Sequence, residues 1–450
     1  MSLSQPIHNL HSQFSRLCRN ERGGAIALVG FAIPVVIGGL ALSIDTGIWY
    51  LEKRKLQQVA DTASLAAVRT MTAGGSLSQQ QAAAQSDAVR NGYVAGATTT
   101  FTVHSPPTSG AYTGNSHAVE VVTTKKLPTF FSTFFLTGTN TMTARSVAYQ
   151  AITLGRNVEV SLMLDVSSSM NGGTEVPGVT KLKGMQDAAK SLIDIVVVPG
   201  QTTHTARVAL VPYSSAINVG SAYYTAVTNQ PVSGGWTTVV ERSGTAAFKD
   251  DAPASGKWLG QFKTKKNSAL GDYASWVKNQ TSNVPSTSKV NPLTTDKVAL
   301  KATIDAFTGN GTTAGHLGAA WTWYTLSPKW SGVVGAGNAA NPYDAAQTSK
   351  VAVLLSDFDM NSYYESANGN SSAQTQSVCT AMKAAGVTVY TVAYGLNTSD
   401  STAVNLWKNC ASSVDTRFST TTVDGMKTAF QAIAAAALSS AATLSPQLVE

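Results

Sequence analysis

The 450-residue chain predicts an α/β fold. The expected architecture is a Rossmann-like, mainly parallel central sheet with helices on both faces, preceded by a transmembrane helix and a small α+β domain. Three observations predict it. Residues 24–44 carry no charge and are long enough to cross a bilayer as a helix. In the second half, apolar runs of strand length alternate with helical spacing, the pattern of a parallel sheet covered on both faces. Two of those runs end in oxygen-rich loops, Asp165-Val166-Ser167-Ser168-Ser169 and Ser356-Asp357-Phe358-Asp359.

Residues 1–23 form an amino-terminal segment containing Cys18, Arg16, Arg19 and Arg22. Pro34 sits inside the apolar run that follows, which membrane helices tolerate. Trp49 and Tyr50 suit the interface beyond it. A cleaved signal peptide is the competing reading. Against it, the run exceeds an ordinary signal core, and Ser43-Ile44-Asp45-Thr46 is not a small-residue cleavage site. Lys53, Arg54 and Lys55 follow the span, so the basic residues on its two sides nearly balance. A large carboxy-terminal region translocates regardless of local charge, which favours a cytoplasmic amino terminus and the bulk outside.

Residues 45–150 read as a helical extension and a small α+β domain. Leu56, Val59, Ala60, Ala63, Ala66 and Ala67 continue without a breaker, so the membrane helix is expected to run on as one rod. A second helix is expected over 79–93. Strands are expected at 101–103, 118–122 and 141–150.

Residues 155–438 read as the sheet domain. The apolar run 158–164 is a buried strand, and it delivers Asp165, Ser167 and Ser169 to the carboxyl edge, where ligands of α/β sheets bind. One carboxylate and two hydroxyls on a tight loop suit a hard divalent cation. A Ser-rich turn with Asp as local cap is the plainer alternative. Further helices are expected over 179–197, 372–385 and 423–438, and strands over 207–213, 350–355 and 387–394. Between them, Gly309-Asn310-Gly311-Thr312-Thr313-Ala314-Gly315 opens onto an apolar stretch, 317–326. An insertion at about 218–292 carries Trp236, Trp258 and Trp276, expected to be its own small core. Its Lys263, Lys265 and Lys266 read as a solvated face. The tail, 439–450, is expected to pack loosely.

Three loops in this order, with Asp165, Ser167 and Ser169 on the first, Thr312 on the second and Asp357 on the third, resemble the von Willebrand factor type A domain. The resemblance implies that these five residues form a metal-ion-dependent adhesion site, with Thr313 the rival of Thr312. It implies Mg²⁺, with Mn²⁺ or Ca²⁺ as alternatives, and a protein partner that offers an Asp or Glu carboxylate. Where the family usually has Gly after the third-loop aspartate, this chain has Phe358.

The first half resembles the TadE/TadG-like proteins of tight-adherence (Flp) pilus assembly. The residues that carry this are Arg22-Gly-Gly-Ala25, Ser43-Ile-Asp-Thr-Gly-Ile-Trp-Tyr50, Leu56-Gln-Gln-Val-Ala-Asp-Thr-Ala-Ser-Leu-Ala-Ala67 and Leu127-Pro-Thr-Phe-Phe-Ser-Thr-Phe-Phe135. A TadG-type protein joins a pilin-like anchor to a von Willebrand A-type domain. The resemblance implies a single-pass protein of the bacterial inner membrane, other pilus-assembly or envelope proteins as partners, and a periplasmic or surface-exposed bulk. Related pseudopilins are cut after Gly and carry Glu five residues on. Here a cut at Gly23 or Gly24 puts Leu28 or Val29 there, so the anchor is expected to stay uncut.

Composition narrows the classes. Net charge is +7, but only 13% of residues are charged, too dilute a basic excess to argue for nucleic acid. Cys379 and Cys410 both fall in the sheet domain, where an oxidising compartment would let them pair; two unpaired buried cysteines are the alternative. No pair among the six His has zinc-binding helical spacing, and no nucleophile elbow, P-loop or Rossmann fingerprint sits in its proper context. The expectation is a cation-dependent binding protein rather than an enzyme. The alternatives are a structural envelope or pilus-base component with a vestigial metal site, and a metal-dependent hydrolase built on Asp165 and Asp357. His316, near Thr312, is expected to be structural rather than a base.

Overall fold

The computed structural model describes residues 21–129, 139–197, 203–262 and 284–450. Arg16, Cys18, Arg19, Lys263, Lys265, Lys266, Trp276 and the phenylalanines of 130–135 lie outside them. The chain divides into two compact units, residues 1–152 with 444–450, and residues 153–443.

In the first unit one helix, α1 (Glu21–Thr72), runs through the apolar segment and on beyond it, as the unbroken pattern predicts. At 1.5 Å per residue it is about 78 Å long. Among the described residues it is the one helix long and apolar enough to cross a membrane. Ile26, Phe31, Val35 and Leu40 are each more than half exposed, as side chains facing lipid would be. Its carboxy-terminal half packs Leu56, Val59, Ala60, Ala63 and Ala67 against α2 (Leu77–Arg90) and against Val119, Val121, Ala144 and Ala148 of the sheet. Ser76 and Gln79 form the capping box that starts α2. The helix ends earlier than expected because Gly92, at φ 91°, turns the chain away.

The sheet has the order β1-β2-β3-β13, from β1 (Thr99–His104), β2 (Ala118–Pro128), β3 (Thr139–Leu154) and β13 (Ala442–Leu448). The last strand corrects the expectation of a loose tail. Val147 N–H donates to the Glu450 carbonyl at 2.7 Å, and the Glu450 carboxylate takes Arg145 Nη1 at 2.6 Å. Arg145 also holds buried Glu120, whose carboxyl falls to about 2. Burial opposes that fall, and bonds from Ser109, Thr108 and Arg145 outweigh it.

The second unit is a six-stranded sheet of order β12-β11-β10-β4-β5-β9. Its strands are β4 (Asn157–Asp165), β5 (Ala206–Tyr213), β9 (Asn291–Thr294), β10 (Thr348–Ser356), β11 (Thr388–Tyr394) and β12 (Arg417–Thr420). All neighbours pair parallel except β5 with β9, so one antiparallel edge strand closes an otherwise parallel sheet. The order reverses between β4 and β10, the switch point at which such sheets bind ligands. This is the von Willebrand A-type α/β arrangement. Helices α3 (Lys181–Val196), α5 (Lys297–Asp305), α6 (Gly315–Leu326), α8 (Ser371–Ala384), α9 (Ser401–Cys410) and α10 (Val423–Ser439) cover it, with the short α4 (Gly220–Thr228) and α7 (Ser331–Val334) beside them. Thr180, Asp296, Asn370, Asp400 and Thr422 cap the starts of α3, α5, α8, α9 and α10.

The insertion adds a small antiparallel sheet, β6 (Ile217–Asn218), β7 (Thr238–Val240) and β8 (Gly260–Gln261). Its packing differs from the expectation. Trp236 and Trp258 are only half-buried. Tyr224, Val227, Val239, Val240, Leu259 and Phe262 are buried instead, continuous with the core of the main sheet. A two- or three-residue strand cannot shield an indole, whereas an existing apolar face can complete the burial of smaller side chains.

Candidate functional site

Three consecutive structural demands bring the candidate residues to one edge. Strands β4 and β10 are neighbours, so their carboxyl ends, Asp165 and Ser356-Asp357, emerge side by side. The second loop is tied directly to the first: Asn310 N–H donates to the Val166 carbonyl at 2.8 Å, and Ser168 N–H to the Gly311 carbonyl at 2.9 Å. The second is tied to the third through Thr313. Its carbonyl accepts from Asn361 N–H at 3.0 Å, and its N–H donates to Asn361 Oδ1 at 2.9 Å.

Asp165 is 1% exposed. Its Oδ1 accepts the Ser167 N–H at 2.9 Å, and its Oδ2 accepts Tyr213 Oη at 2.9 Å and Ser356 Oγ at 3.3 Å. Ser167 Oγ and Ser169 Oγ lie 3.0 Å apart, within hydrogen-bond distance of each other. Thr312 Oγ1 meets Ser215 Oγ at 2.8 Å and accepts from Ser362 Oγ at 2.7 Å. Thr312 is the threonine whose hydroxyl sits among other hydroxyls, whereas Thr313 meets Asn361 through its backbone N–H and carbonyl. Asp357 Oδ1 accepts the Asp359 N–H at 3.1 Å, and Asp359 itself is exposed.

The two carboxylates are electrostatically unsettled. Burial raises the Asp165 carboxyl to about 6, and the nearby Asp357 charge pushes the same way. Burial likewise raises Asp357, against the pull of the Asp359 N–H. Two like charges in a poorly solvated edge favour either a proton or a cation between them. The donors are all hard oxygens, which fits Mg²⁺ or Mn²⁺ rather than a thiolate-seeking metal. Among the described residues there is no group of three or more His, Cys, Asp or Glu side chains that could hold a metal. A cation at this edge would need hydroxyl ligands as well as Asp165 and Asp357.

Phe358 lies at φ 64° and is 1% exposed. The third loop keeps the left-handed turn that suits Gly, and here it carries a buried aromatic ring through that turn. Its N–H donates to Ser356 Oγ at 3.0 Å, the same hydroxyl that donates to Asp165.

Several supporting residues escaped sequence reasoning. Tyr213 and Ser215 flank the end of β5, and the signal that could have marked them was their place at the end of a central strand. The insertion contributes Glu241. Its Oε1 accepts the Tyr364 N–H at 2.6 Å and the Glu365 N–H at 2.7 Å, and its Oε2 is 3.3 Å from His316 Nε2. Tyr364 Oη in turn donates to the Ser215 carbonyl at 2.6 Å, one step from Thr312. Burial works against the ionised Glu241, but His316 and the N–H donors hold its carboxyl at about 2. His316 is thus a buried structural partner whose Nδ1 meets Ser371 Oγ at 2.8 Å. A disulfide joins Cys379 on α8 to Cys410 at the end of α9.

Residues 23–84 match the family described as putative Flp pilus-assembly TadE/G-like. No curated protein matches the sequence. Among solved structures, the chain is similar to the vWF domain of the type V pili tip protein Mfa5 from Porphyromonas gingivalis. Identity is 14%, coverage 64% of this chain and 96% of that one, and the TM-score 0.36. It is similar to the pilus adhesin SpaC from Lactobacillus rhamnosus GG in its open conformation, at 12% identity, 72% and 32% coverage, and TM-score 0.34. It is also similar to the manganese-loaded TRAP protein of Plasmodium vivax, at 10% identity, 68% and 82% coverage, and TM-score 0.30. The chain spans about a third of the length of the SpaC structures it matches.

Proposed function

We propose that this chain is a membrane-anchored, cation-dependent protein-binding component of a tight-adherence type pilus or secretion system. In this reading residues 24–44 cross the bacterial inner membrane, the amino terminus is cytoplasmic, and the site faces the periplasm or cell surface. Asp165, Ser167, Ser169, Thr312 and Asp357 hold the cation directly or through water. When bound, the cation supplies an electrophilic point that accepts an Asp or Glu carboxylate from a protein partner. The chain's own residues do the positioning. Tyr213 and Ser356 orient Asp165, and Ser215 and Ser362 orient Thr312.

The observation that carries this reading is the burial of Asp165 beside Asp357 at the switch point, with the Ser167 and Ser169 hydroxyls on the same loop and backbone bonds tying the second loop to the first. Two carboxylates roughly balance a divalent ion, leaving it able to accept one more. His316 is buried against Glu241 and Ser371, which supports a binding role for this edge over a catalytic one.

The test is calorimetric titration of the full chain with MnCl₂ and MgCl₂, beside Asp165→Ala and Thr312→Ala. The expected result is one cation site that Asp165→Ala abolishes and Thr312→Ala weakens about ten-fold or more, with the fold retained by circular dichroism. Equal cation binding by wild type and Asp165→Ala would sink the proposal.

A further inference from the structure

Lys53, Arg54 and Lys55 are consecutive in α1, so their side chains leave the rod about 100° apart and ring it rather than line one face. All three are exposed. Strand β2 brings more positive charge to the same level. Lys125 Nζ is 2.6 Å from Glu52 Oε2, and the next residue, Lys126, is exposed. Lys53 reaches across to the Thr143 carbonyl on β3. Among the described residues Glu52 is the carboxylate that pairs with this cluster, and it pairs with Lys55 and Lys125. Among the described residues no carboxylate pairs with Arg54 or Lys126.

The direction of Arg54 matters more than the count. Helical side chains lean toward the helix amino terminus, here toward the apolar segment. The Arg54 guanidinium carbon lies 5.8 Å from the centre of the Tyr50 ring, one turn nearer that segment. Tyr50 is 62% exposed, and Trp49 precedes it. Aromatic residues at this place on a membrane helix sit at headgroup level. With residues 24–44 in a bilayer, the guanidinium would stand at the level of the lipid phosphates.

We propose that this basic collar binds the headgroups of anionic phospholipids where α1 leaves the bilayer. The proposal rests on residues 24–44 being a membrane span. A planar guanidinium matches phosphate oxygens in pairs, and the flanking lysines add point charges on either side of the rod. Each basic side chain near an anionic surface adds roughly a five-fold preference for it. Seating a collar on headgroups would also fix how far the rod can slide along the membrane normal.

The test is to extract the full chain from bilayers of phosphatidylcholine containing a minority of phosphatidylglycerol and to measure the retained lipids by native mass spectrometry. The expected result is phosphatidylglycerol enriched several-fold over its share of the bilayer on the wild type. The enrichment should disappear in Arg54→Gln/Lys55→Gln/Lys126→Gln. That variant leaves the Lys125–Glu52 pair and the Lys53 contact in place, so the sheet stays docked on α1. The single variant Arg54→Gln should lose most of the enrichment. Wild type retaining the two lipids in their bulk ratio, or equal enrichment in the triple variant, would overturn the collar alone. A chain that carbonate washing removes from the bilayer would overturn the span as well.

Discussion

Tyr213 and Asp165 are register partners at the ends of neighbouring parallel strands, and the Tyr213 hydroxyl donates a 2.9 Å hydrogen bond to Asp165 Oδ2. The bond is fully buried and occupies one of the two carboxylate oxygens. Tyr213→Phe keeps the ring and removes the donor. The expected cost is about 1–2 kcal/mol in urea unfolding with chelator present. The same change should raise the Asp165 carboxyl further, because a bond to its ionised form is lost. Unchanged stability in Tyr213→Phe would mean that Ser356 and the Ser167 N–H hold Asp165 without the tyrosine.

The tyrosine is itself held from behind. A Cβ on Gly318 of α6 would lie 2.8 Å from Cγ and Cδ1 of the Tyr213 ring and 2.9 Å from Met163 Cε. The ring is rigid and buried, so it cannot give way as a chain end could. Gly318→Ala gains about 1 kcal/mol of helix propensity but is expected to lose more through overpacking, about 1–3 kcal/mol. Net destabilisation in thermal unfolding is the expected outcome. A stabilised Gly318→Ala would show that α6 can slide off the sheet without penalty.

How much of this was legible in the sequence depends on the range of each contact. Asp165, Ser167, Ser169 and Asp357 were legible because strand ends of a parallel sheet share an edge, and the amino-acid types there are unusual. The continuous rod of α1 was legible from unbroken small and helix-forming residues. Strand β13 was not, because nothing within 439–450 records that β3 has a free edge waiting for it. Glu241 was not, because its partners His316 and Tyr364 lie far along the chain and its own neighbours look like any loop. Trp236 and Trp258 misled the reading of the insertion, since bulk predicts burial only where another face exists to cover it.

Phe358 offers a test in which size and conformation oppose each other. The residue has a left-handed backbone and a buried ring. Phe358→Ala removes the ring and keeps the backbone penalty, an expected loss of about 3–5 kcal/mol. Phe358→Gly removes more side chain, yet Gly adopts φ 64° freely, saving about 1–2 kcal/mol relative to Ala. Glycine should therefore be the less harmful of the two replacements in chemical denaturation. Phe358→Ala proving the more stable would show that the third loop abandons its left-handed turn once the ring is gone.

The pH dependence follows from the raised carboxyl of Asp165, and its sign differs from the usual acid case. Its ordinary value is 3.8; burial first, and the Asp357 charge second, lift it to about 6. The folded state then holds this proton more tightly than the unfolded chain does. Between 3.8 and about 6 the stability of the cation-free protein should fall as pH rises, by on the order of 3 kcal/mol, and stay at that lower level above the window. Only the ionised carboxylate can ligate a cation, so Mg²⁺ should restore stability chiefly above about pH 6 and add little near pH 4. The measurement is Tm in Mg²⁺ minus Tm in chelator, followed across that range for wild type and Asp165→Asn. The wild-type difference should grow with pH, while Asp165→Asn should be nearly flat and more stable than wild type in chelator at neutral pH. A Mg²⁺ effect that ignores pH, or that survives Asp165→Asn undiminished, would place any cation somewhere other than beside Asp165.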